Sequence, residues 1–306
     1  MSPPETQTLP FDAAGIARAA ALLLEGQPVA VPTETVYGLA ADATNAAAVA
    51  LIYAAKGRPS FNPLIVHVPD LAAAEQLGVF NPEARELAQA HWPGPLTIVV
   101  PALADNGIAA LATAGLDTIA LRVPGHPAMQ ALLAATGRPL AAPSANASGR
   151  ISPTRAEHVL ASLNGRIPLV IDGGATARGI ESTIIAATGG GLRLLRSGPI
   201  EVVAPRSSGG IEAPGMMASH YAPVKPLRLD ATEARDGEFL IGFGAVVGDA
   251  NLSNSGDLIE AASRLFDLLH LADAAPQTKI AIAPIPTHGI GAAIRDRLER
   301  AATQRT

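Results

Sequence analysis

The chain has no cysteine and few aromatic residues. Its 306 residues include a single tryptophan, Trp92, and aromatic residues make up 3% of the composition. The absence of cysteine excludes disulfides, thiolate metal sites and cysteine nucleophiles, and it is compatible with a reducing compartment. No uncharged apolar run is long enough for a membrane helix, and the first residues lack the basic-then-apolar order of a signal peptide. We therefore expect no membrane contact and a cytoplasmic location.

Basic charge is also scarce. Lysine occurs only at Lys56, Lys225 and Lys279, and 22 basic residues stand against 27 acidic ones, giving a formal net charge of −5. A protein that grips nucleic acid through its phosphates usually carries a basic domain. The composition therefore predicts weak or no direct nucleic-acid binding, although it leaves room for a local basic site.

Standard cofactor motifs are missing as well. The sequence has neither GxxxxGK[ST] nor a GxGxxG after a strand, so neither common nucleotide-binding loop is present. No histidine and carboxylate residues have the spacing of a metal cage, so we predict no metal-ligating residues. If a metal takes part, Mg²⁺ held largely by a nucleotide's phosphates is the expected choice, because Mg²⁺ then needs few protein ligands.

The hydrophobic pattern predicts an α/β protein. Residues 11–26 have the apolar period of a helix that stops at Gly26, and residues 28–33 are typical of a short buried strand. Similar segments follow, helical at 45–56, 81–91, 127–136 and 154–163, and extended at 64–68, 92–102, 118–127, 168–174, 179–185 and 192–200.

The composition changes after residue 200. Residues 201–226 are rich in Pro, Gly and Ser, lack any period, and are predicted to form a linker. A second α/β unit follows, with strands at 238–244 and 279–286 and helices at 257–274 and 291–302. The predicted divisions are a catalytic domain over 8–204, a linker or lid over 205–226 and a smaller domain over 227–306.

The second unit has clear helix signals but no dense polar cluster. Asp257 and Glu260 resemble a capping box, and Ile294 and Leu298 are expected to face inward. We therefore predict a covering or regulatory role for this domain.

Short polar side chains are densest in residues 139–154. Ser144, Asn146, Ser148 and Ser152 follow an apolar run, and Arg150 adds a fixed positive charge. Hydroxyls, an amide, free backbone N–H groups and a guanidinium suit a phosphate-rich ligand. The alternative is an ordinary surface loop, because the same residue types are common in turns.

Other polar residues interrupt apolar segments. Thr33, Glu34 and Thr35 follow a predicted strand, at a position where ligands bind in open α/β sheets. The alternative is that they form a helix cap or a turn. Lys56 and Arg58 leave a helix and either bind a ligand or cap the helix.

Two further residues lie inside predicted strands. His67 is a core histidine or a working group. Arg122 must find a structural carboxylate or face a cleft that takes an acidic ligand.

An ordered set of motifs carries a resemblance to a known family. The sequence resembles the threonylcarbamoyl-AMP synthase family, the YrdC-like proteins, in the long form with an extra C-terminal domain. The motifs are PTETVYGLAADA, KGRPSFNPL, WPGPLT, LRVPGHP, APSANASGRISPT, GIESTI, LRSGPI and SHYAPVKP. One departure is Ala40, where the family often has glycine.

The resemblance implies a fold and a reaction. The implied fold is a twisted mixed α/β sheet around a deep positive cavity, with a Rossmann-like C-terminal domain. The implied reaction converts L-threonine, bicarbonate and ATP, with Mg²⁺, to threonylcarbamoyl-AMP and pyrophosphate. Partner proteins would then transfer the threonylcarbamoyl group to an adenosine of tRNA.

The resemblance also assigns residues. Its threonine-site pattern falls on Thr35, His67, Arg122, Ala142 (through its backbone) and Ser182. Its ATP-site pattern falls on Arg58, Asn62, Thr118, Ser144, Asn146, Ser152, Arg196 and Tyr221. Lys56 and Arg58 match the family's basic KxR pattern and are the predicted catalytic residues.

Three alternatives remain open at this stage. The chain could bind double-stranded RNA or tRNA without catalysis, against which the negative charge weighs. It could be a different carbamoyl-transfer enzyme, since the module resembles the carbamoyl-adenylate domain of hydrogenase-maturation proteins, which carry zinc-finger cysteines that this chain lacks. It could also be an inactive regulatory module, against which the intact polar residues weigh.

Overall fold

The computed structural model describes residues 5–207, 212–214 and 220–303. The part of the linker at 208–211 and 215–219, and the last three residues of the predicted C-terminal domain, lie outside the described residues. The helices are α1 (Ala13–Leu24), α2 (Ala46–Lys56), α3 (Leu71–Glu75), α4 (Pro82–His91), α5 (Pro127–Thr136), α6 (Ala156–Leu163), α7 (Leu258–Ala274) and α8 (Gly291–Ala302). Among these described helices, none is both long and apolar enough to cross a bilayer.

The strands form two sheets. The first ten are β1 (Gln7–Pro10), β2 (Val29–Pro32), β3 (Tyr37–Asp42), β4 (Ile65–His67), β5 (Leu96–Pro101), β6 (Thr118–Arg122), β7 (Leu140–Ala141), β8 (Leu169–Asp172), β9 (Thr183–Ala186) and β10 (Arg193–Arg196). The others are β11 (Leu227–Arg228), β12 (Glu238–Gly242), β13 (Ala250–Asn251) and β14 (Lys279–Ile282).

The larger sheet is mixed, as predicted. Its order is β1-β8-β2-β3-β7-β4-β6-β5-β9-β10. β4 runs parallel to β6, whereas β7 runs antiparallel to both β3 and β4. The register places His67 opposite Arg122, so two of the predicted site residues share one end of neighbouring strands. β3 was not predicted as a strand, because its six residues are almost all buried and lack the alternation of a half-exposed strand.

Helices cover both faces of this sheet. α1 and α5 pack with β2 and β8 around one cluster of buried apolar residues. α2, α4 and α6 pack with β3, β4, β5 and β6 around another. Since both faces are covered, the strands are apolar throughout, and a charged residue such as Arg122 inside a strand must reach the sheet's end to find polar partners.

The end of α2 fixes the position of two predicted catalytic residues. Gly57 has a left-handed backbone (φ 60°) that stops the helix after Lys56. The amides of Gly57 and Arg58 donate to the carbonyls of Ala54 and Tyr53, which is the hydrogen-bond pattern of a Schellman motif. The chain therefore turns sharply, so that Lys56 and Arg58 are both buried instead of extending into solvent.

The smaller sheet is parallel and has the order β11-β14-β12-β13. α7 and α8 supply its apolar cover, and Ile294 and Leu298 face inward as predicted. Asp257 caps α7 by accepting from the amides of Ile259 and Glu260. The predicted capping box is incomplete, because Ser253 Oγ accepts from the Asp257 amide while Glu260 pairs with Arg264.

The two sheets share an apolar core. Val36, Ile151 and Ile180 of the larger unit belong to the same cluster as residues of α7 and α8. Gly179 (φ +69°) lies so close to α7 that a Cβ there would overlap the carbonyl oxygens of Ala262 and Ser263. The C-terminal unit is therefore packed on the larger one through direct apolar contact.

Candidate functional site

A small cavity opens where the larger sheet meets the linker. It is lined by Thr35, Val36, Arg58, Ile65, Arg122, Ala142, Pro143, Ser144, Glu181, Arg196, Pro214, His220 and Tyr221. Its volume is about 40 Å³, whereas pockets for drug-sized ligands measure roughly 300–1,000 Å³. The cavity is therefore small, and the linker residues Pro214, His220 and Tyr221 form part of its lining.

Arg122 meets a structural carboxylate and also faces the cavity. Its Nη2 donates to Glu34 Oε1 at 2.7 Å, and its Nη1 donates to Thr35 Oγ1 at 3.1 Å. Burial alone would raise the pKa of Glu34, but the charge and hydrogen bonds of Arg122 hold that pKa below its ordinary value. The Gly125 amide also donates to this carboxylate. The guanidinium has five N–H groups, so it keeps donors for a ligand carboxylate.

Arg196 also lines the cavity, and Ser182 holds its guanidinium. Arg196 Nη2 donates to Ser182 Oγ at 3.0 Å, and its Nε donates to the Ser182 carbonyl at 3.0 Å. Ser182 Oγ also lies 2.8 Å from Thr97 Oγ1. Gly198 allows this close approach, because a Cβ there would overlap the backbone of Ser182 and Thr183.

Lys56 and Arg58 bind backbone carbonyls around the cavity. Lys56 Nζ donates to the carbonyls of Ser144 and Asn146. Arg58 donates from Nε to the Asn62 carbonyl at 3.1 Å and from Nη2 to the Pro63 carbonyl at 2.9 Å. Burial, with the neighbouring charge of Arg58, holds the pKa of Lys56 well below its usual range, and burial lowers the pKa of Arg58 to about 10.

The site has an excess of buried positive charge. Lys56, Arg58 and Arg196 are each less than 9% exposed. None of the three forms an ion pair with a carboxylate in the described ranges. Burying an uncompensated charge is costly, so such cations are expected to have an anionic partner in the working state.

His67 lies at the same end of the sheet. It is 2% exposed, and neither ring nitrogen has a hydrogen-bond partner within the described part of the chain. Burial, together with the charge of Arg122, lowers its pKa to about 3, so the imidazole is neutral at pH 7. The backbone polar groups of Leu140 and Ile65 oppose this shift and therefore lie close to the ring. The role of His67 in threonine binding stays a prediction.

The structure brings most of the predicted residues together. Those that line the cavity are Thr35, Arg58, Arg122, Ala142, Ser144, Arg196 and Tyr221. Four others form hydrogen bonds with lining residues: Lys56, Asn62, Ser152 and Ser182. Asn146 is linked to the lining through Lys56. Thr118 is different, because it begins β6 whereas Arg122 ends that strand. Its role in ATP binding stays a prediction.

Arg150 does not reach the cavity. It lines a separate cleft with His158, His270 and Asp273. Its backbone pairs with that of Ala222 in the linker. Six residues of the lining were not assigned to either predicted substrate site: Val36, Ile65, Pro143, Glu181, Pro214 and His220. Pro214 and His220 are the ones that come from the linker, where no periodicity indicates which side chains turn inward.

The described residues contain no group of three histidine or carboxylate residues that could hold a metal ion. The two carboxylates at the site, Glu34 and Glu181, are paired with Arg122 and Arg297. That a Mg²⁺ ion would take most of its ligands from a nucleotide stays a prediction.

Comparison with known proteins identifies the family. Residues 21–198 match the family model described as "Telomere recombination" (Sua5_yciO_yrdC), and residues 176–303 match the model described as "Threonylcarbamoyl-AMP synthase, C-terminal domain". The Bacillus subtilis threonylcarbamoyl-AMP synthase is 40% identical over 94% of this chain and 92% of its own length. The Pyrococcus abyssi enzyme is 38% identical over 94% of each chain.

The solved structures give the same result. The crystal structure of Pyrococcus abyssi Sua5 complexed with L-threonine aligns with a TM-score of 0.87 and 35% identity, covering 97% of this chain and 96% of the other. The match to this structure therefore covers both units of the chain. The chain belongs to the threonylcarbamoyl-AMP synthase family, which is a family of enzymes.

Proposed function

We propose that the protein is an L-threonylcarbamoyladenylate synthase, a nucleotidyltransferase. It converts L-threonine, bicarbonate and ATP to threonylcarbamoyl-AMP, pyrophosphate and water. The product passes to proteins that transfer the threonylcarbamoyl group to tRNA in the cytoplasm. One observation carries the proposal: Arg58 and Arg196 line one cavity, Lys56 donates to the Ser144 carbonyl beside it, and all three are buried without carboxylate partners among the described residues. A triphosphate supplies the negative charge that this arrangement requires.

The second substrate fits the opposite side of the cavity. The free N–H groups of Arg122 can bind the threonine carboxylate as a fork, with Thr35 beside it. Ser182 and the backbone of Ala142 complete the proposed threonine site, and the neutral His67 orients the amino acid. The L-threonine complex of the Pyrococcus abyssi protein supports this assignment.

The chemistry requires positioning more than an activated side chain. The threonine amine captures carbon dioxide or bicarbonate as a carbamate, and a carbamate oxygen attacks the α-phosphorus of ATP. The bond between the α-phosphorus and the bridging oxygen breaks, and pyrophosphate leaves. Lys56, Arg58 and Arg196 offset the charge that develops on the leaving group. Mg²⁺, when bound to the phosphates, supplies further charge neutralisation.

ATP binding requires the linker side of the cavity to move. A volume of about 40 Å³ is far below the space of roughly 300–1,000 Å³ that pockets for such ligands provide. Tyr221 is 1% exposed and lines the cavity, and the His220 amide donates to the Arg300 carbonyl of α8. These contacts support a lid role for the linker.

The decisive measurement is pyrophosphate release from ATP and Mg²⁺, with threonine and bicarbonate each left out in turn. We expect release only when both are present. Release without threonine, or with carbamoyl phosphate in place of bicarbonate, would instead favour the carbamoyl-transfer alternative. A folded protein that binds ATP and releases no pyrophosphate would contradict the proposal.

A further inference from the structure

One arginine of the C-terminal unit contacts two residues that line the cavity, Glu181 and Tyr221. Arg297 lies on α8 and has no exposed surface (0%). Its Nε donates to Glu181 Oε2 at 2.9 Å, and Glu181 Oε1 accepts from Ser152 Oγ at 2.5 Å. Glu181 lines the cavity, and Ser152 belongs to the proposed ATP site. A single path of hydrogen bonds therefore joins the C-terminal unit to a nucleotide-binding hydroxyl.

The same unit holds the site at two more points. The Arg297 guanidinium carbon lies 5.3 Å from the centroid of the Tyr221 ring, within cation–π range. His270 Nε2 of α7 lies 3.1 Å from the Ser152 carbonyl oxygen. Ser152 is thus fixed through its hydroxyl by way of α8 and through its backbone by α7.

Charge explains why an arginine is needed at this position. Glu181 faces the cavity where the triphosphate is proposed to bind, and an unpaired carboxylate there would repel it. Arg297 neutralises Glu181 and keeps its other oxygen available for Ser152. Asp296 in turn accepts from Arg297 Nη1 at 2.9 Å, which fixes the guanidinium plane.

We propose that Arg297 is a positioning residue for nucleotide binding, through which the C-terminal unit holds Glu181, Ser152 and Tyr221 in their binding arrangement. This inference rests on the proposed function, because it takes the ligand beside Glu181 to be ATP. It gives a specific residue contact to the C-terminal unit, for which the sequence predicted a covering or regulatory role.

The test compares Arg297→Met with Arg295→Met. Arg295 lies on the same helix and pairs with Asp230 and Glu299, away from the cavity. We expect Arg297→Met to raise the KM for ATP at least about tenfold while the KM for threonine changes less than about threefold, since breaking a buried pair leaves Glu181 charged beside the phosphates. Arg295→Met should keep both values within about twofold.

A double-variant cycle separates positioning from general stability. If Arg297 acts through Glu181, Glu181→Gln should remove most of the ATP penalty of Arg297→Met, because the uncompensated charge is gone. Arg297→Lys keeps the charge and loses the planar fork, so it should recover part of the ATP affinity. It also serves as the test variant if Arg297→Met does not fold.

Three outcomes would overturn the inference. They are an unchanged KM for ATP in a folded Arg297→Met or Arg297→Lys protein, equal rises in both KM values, and a penalty that Glu181→Gln does not relieve. If the unmodified protein lacks threonine- and bicarbonate-dependent pyrophosphate release, the proposed function fails instead. The affinity for ATP, measured by calorimetric titration, then tests the role of Arg297 separately. An unchanged affinity in Arg297→Met would overturn the inference.

Discussion

Lys56 holds a loop through its ammonium group, and the same residue is proposed to offset the charge of the triphosphate. Its Nζ donates to the carbonyls of Ser144 and Asn146, in the loop that supplies much of the proposed ATP site. Lys225 makes the same kind of contact far from the cavity, with the carbonyls of Ala272 and Ala275 at the end of α7. The chain therefore contains a matched internal control.

We predict that Lys56→Met lowers turnover by about 100-fold or more, since a preorganised charge at the leaving group is lost. Both Lys56→Met and Lys225→Met should lose stability, by about 1.5–3 kcal/mol for hydrogen bonds from a charged group. The measurements are pyrophosphate release and urea unfolding. A Lys56→Met protein with normal turnover, or a Lys225→Met protein with equally impaired turnover, would contradict the assignment.

The Glu34–Arg122 pair gives a pH-dependent prediction. The pKa of Glu34 is held below its ordinary value of 4.5. The pair's contribution to stability is therefore complete above about pH 4.5 and is lost as pH falls through the lower folded-state pKa. We predict that the difference in unfolding free energy between the unmodified protein and Glu34→Gln is largest near neutral pH and shrinks below pH 4.5. A difference that stays constant from pH 7 to pH 3 would show that the charge of Glu34 is unimportant.

Single residues were predictable where their chemistry conflicts with their surroundings. Arg122 inside an apolar strand requires a partner, and the structure provides one in Glu34, which is too distant in sequence to be paired by pattern alone. Arg297 had a signal that sequence reasoning missed. It lies three residues after Ile294 on α8, and this spacing places it on the buried face of the helix.

At the scale of elements, α6 and α7 meet through two stacked histidines. The rings of His158 and His270 lie 3.8 Å apart between centroids, at an interplanar angle of 15°. Burial, then the charge of His270, lowers the pKa of His158 to about 3, and burial lowers the pKa of His270. Asp267 and Asp273 of α7 oppose these shifts, while Arg155 at the start of α6 reinforces the one at His158.

This stack should make the contact between the helices sensitive to acid. The folded protein binds fewer protons than the unfolded chain, so stability is lost as pH falls from the ordinary value of 6.5 towards about 3. We predict that His158→Phe, which keeps a ring in the stack, flattens the fall in melting temperature between pH 7 and pH 4. His288→Phe, in an exposed loop, is the control. The prediction would be contradicted if the melting temperature fell equally with pH in the unmodified protein, His158→Phe and His288→Phe.

Elements were predictable from local signals, and their pairing was not. The bounds 291–302 of α8 were predicted correctly, since its apolar period is regular and its polar face is highly charged. β3 was missed, and β7 has only two residues, yet both lie at the centre of the sheet. β7 pairs with β3 and β4, which are distant in sequence, so no local window contains the information for it. β3 pairs with its neighbour β2 and was missed because its buried residues lack alternation.

At the scale of the whole molecule, the two units form one core and one site. Val36, Ile151 and Ile180 pack in the same cluster as α7 and α8, and Arg297 and His270 bind the Ser152 region. The sequence predicted two units, because each has its own periodic elements. It did not predict that the second unit contacts the cavity lining and Ser152, since buried contacts between domains leave no period in either one.

Gly179 offers a way to separate the two units without removing either. It has a positive φ (+69°), and a Cβ there would overlap carbonyl oxygens of α7, whereas Gly115 (φ +77°) has no atom within 4 Å of such a Cβ. An alanine at either position carries the same left-handed backbone cost, of about 1–2 kcal/mol. Only Gly179→Ala should also push α7 away.

We therefore predict that Gly115→Ala lowers the melting temperature and leaves the KM for ATP unchanged, while Gly179→Ala also raises that KM. Calorimetry should show one transition for the unmodified protein and for Gly115→Ala, because a shared apolar core makes the two units unfold together. Gly179→Ala should broaden this transition or divide it in two. Two transitions in the unmodified protein, or unchanged ATP binding in a Gly179→Ala protein whose transition has divided, would mean that the catalytic unit builds its nucleotide site without the C-terminal unit.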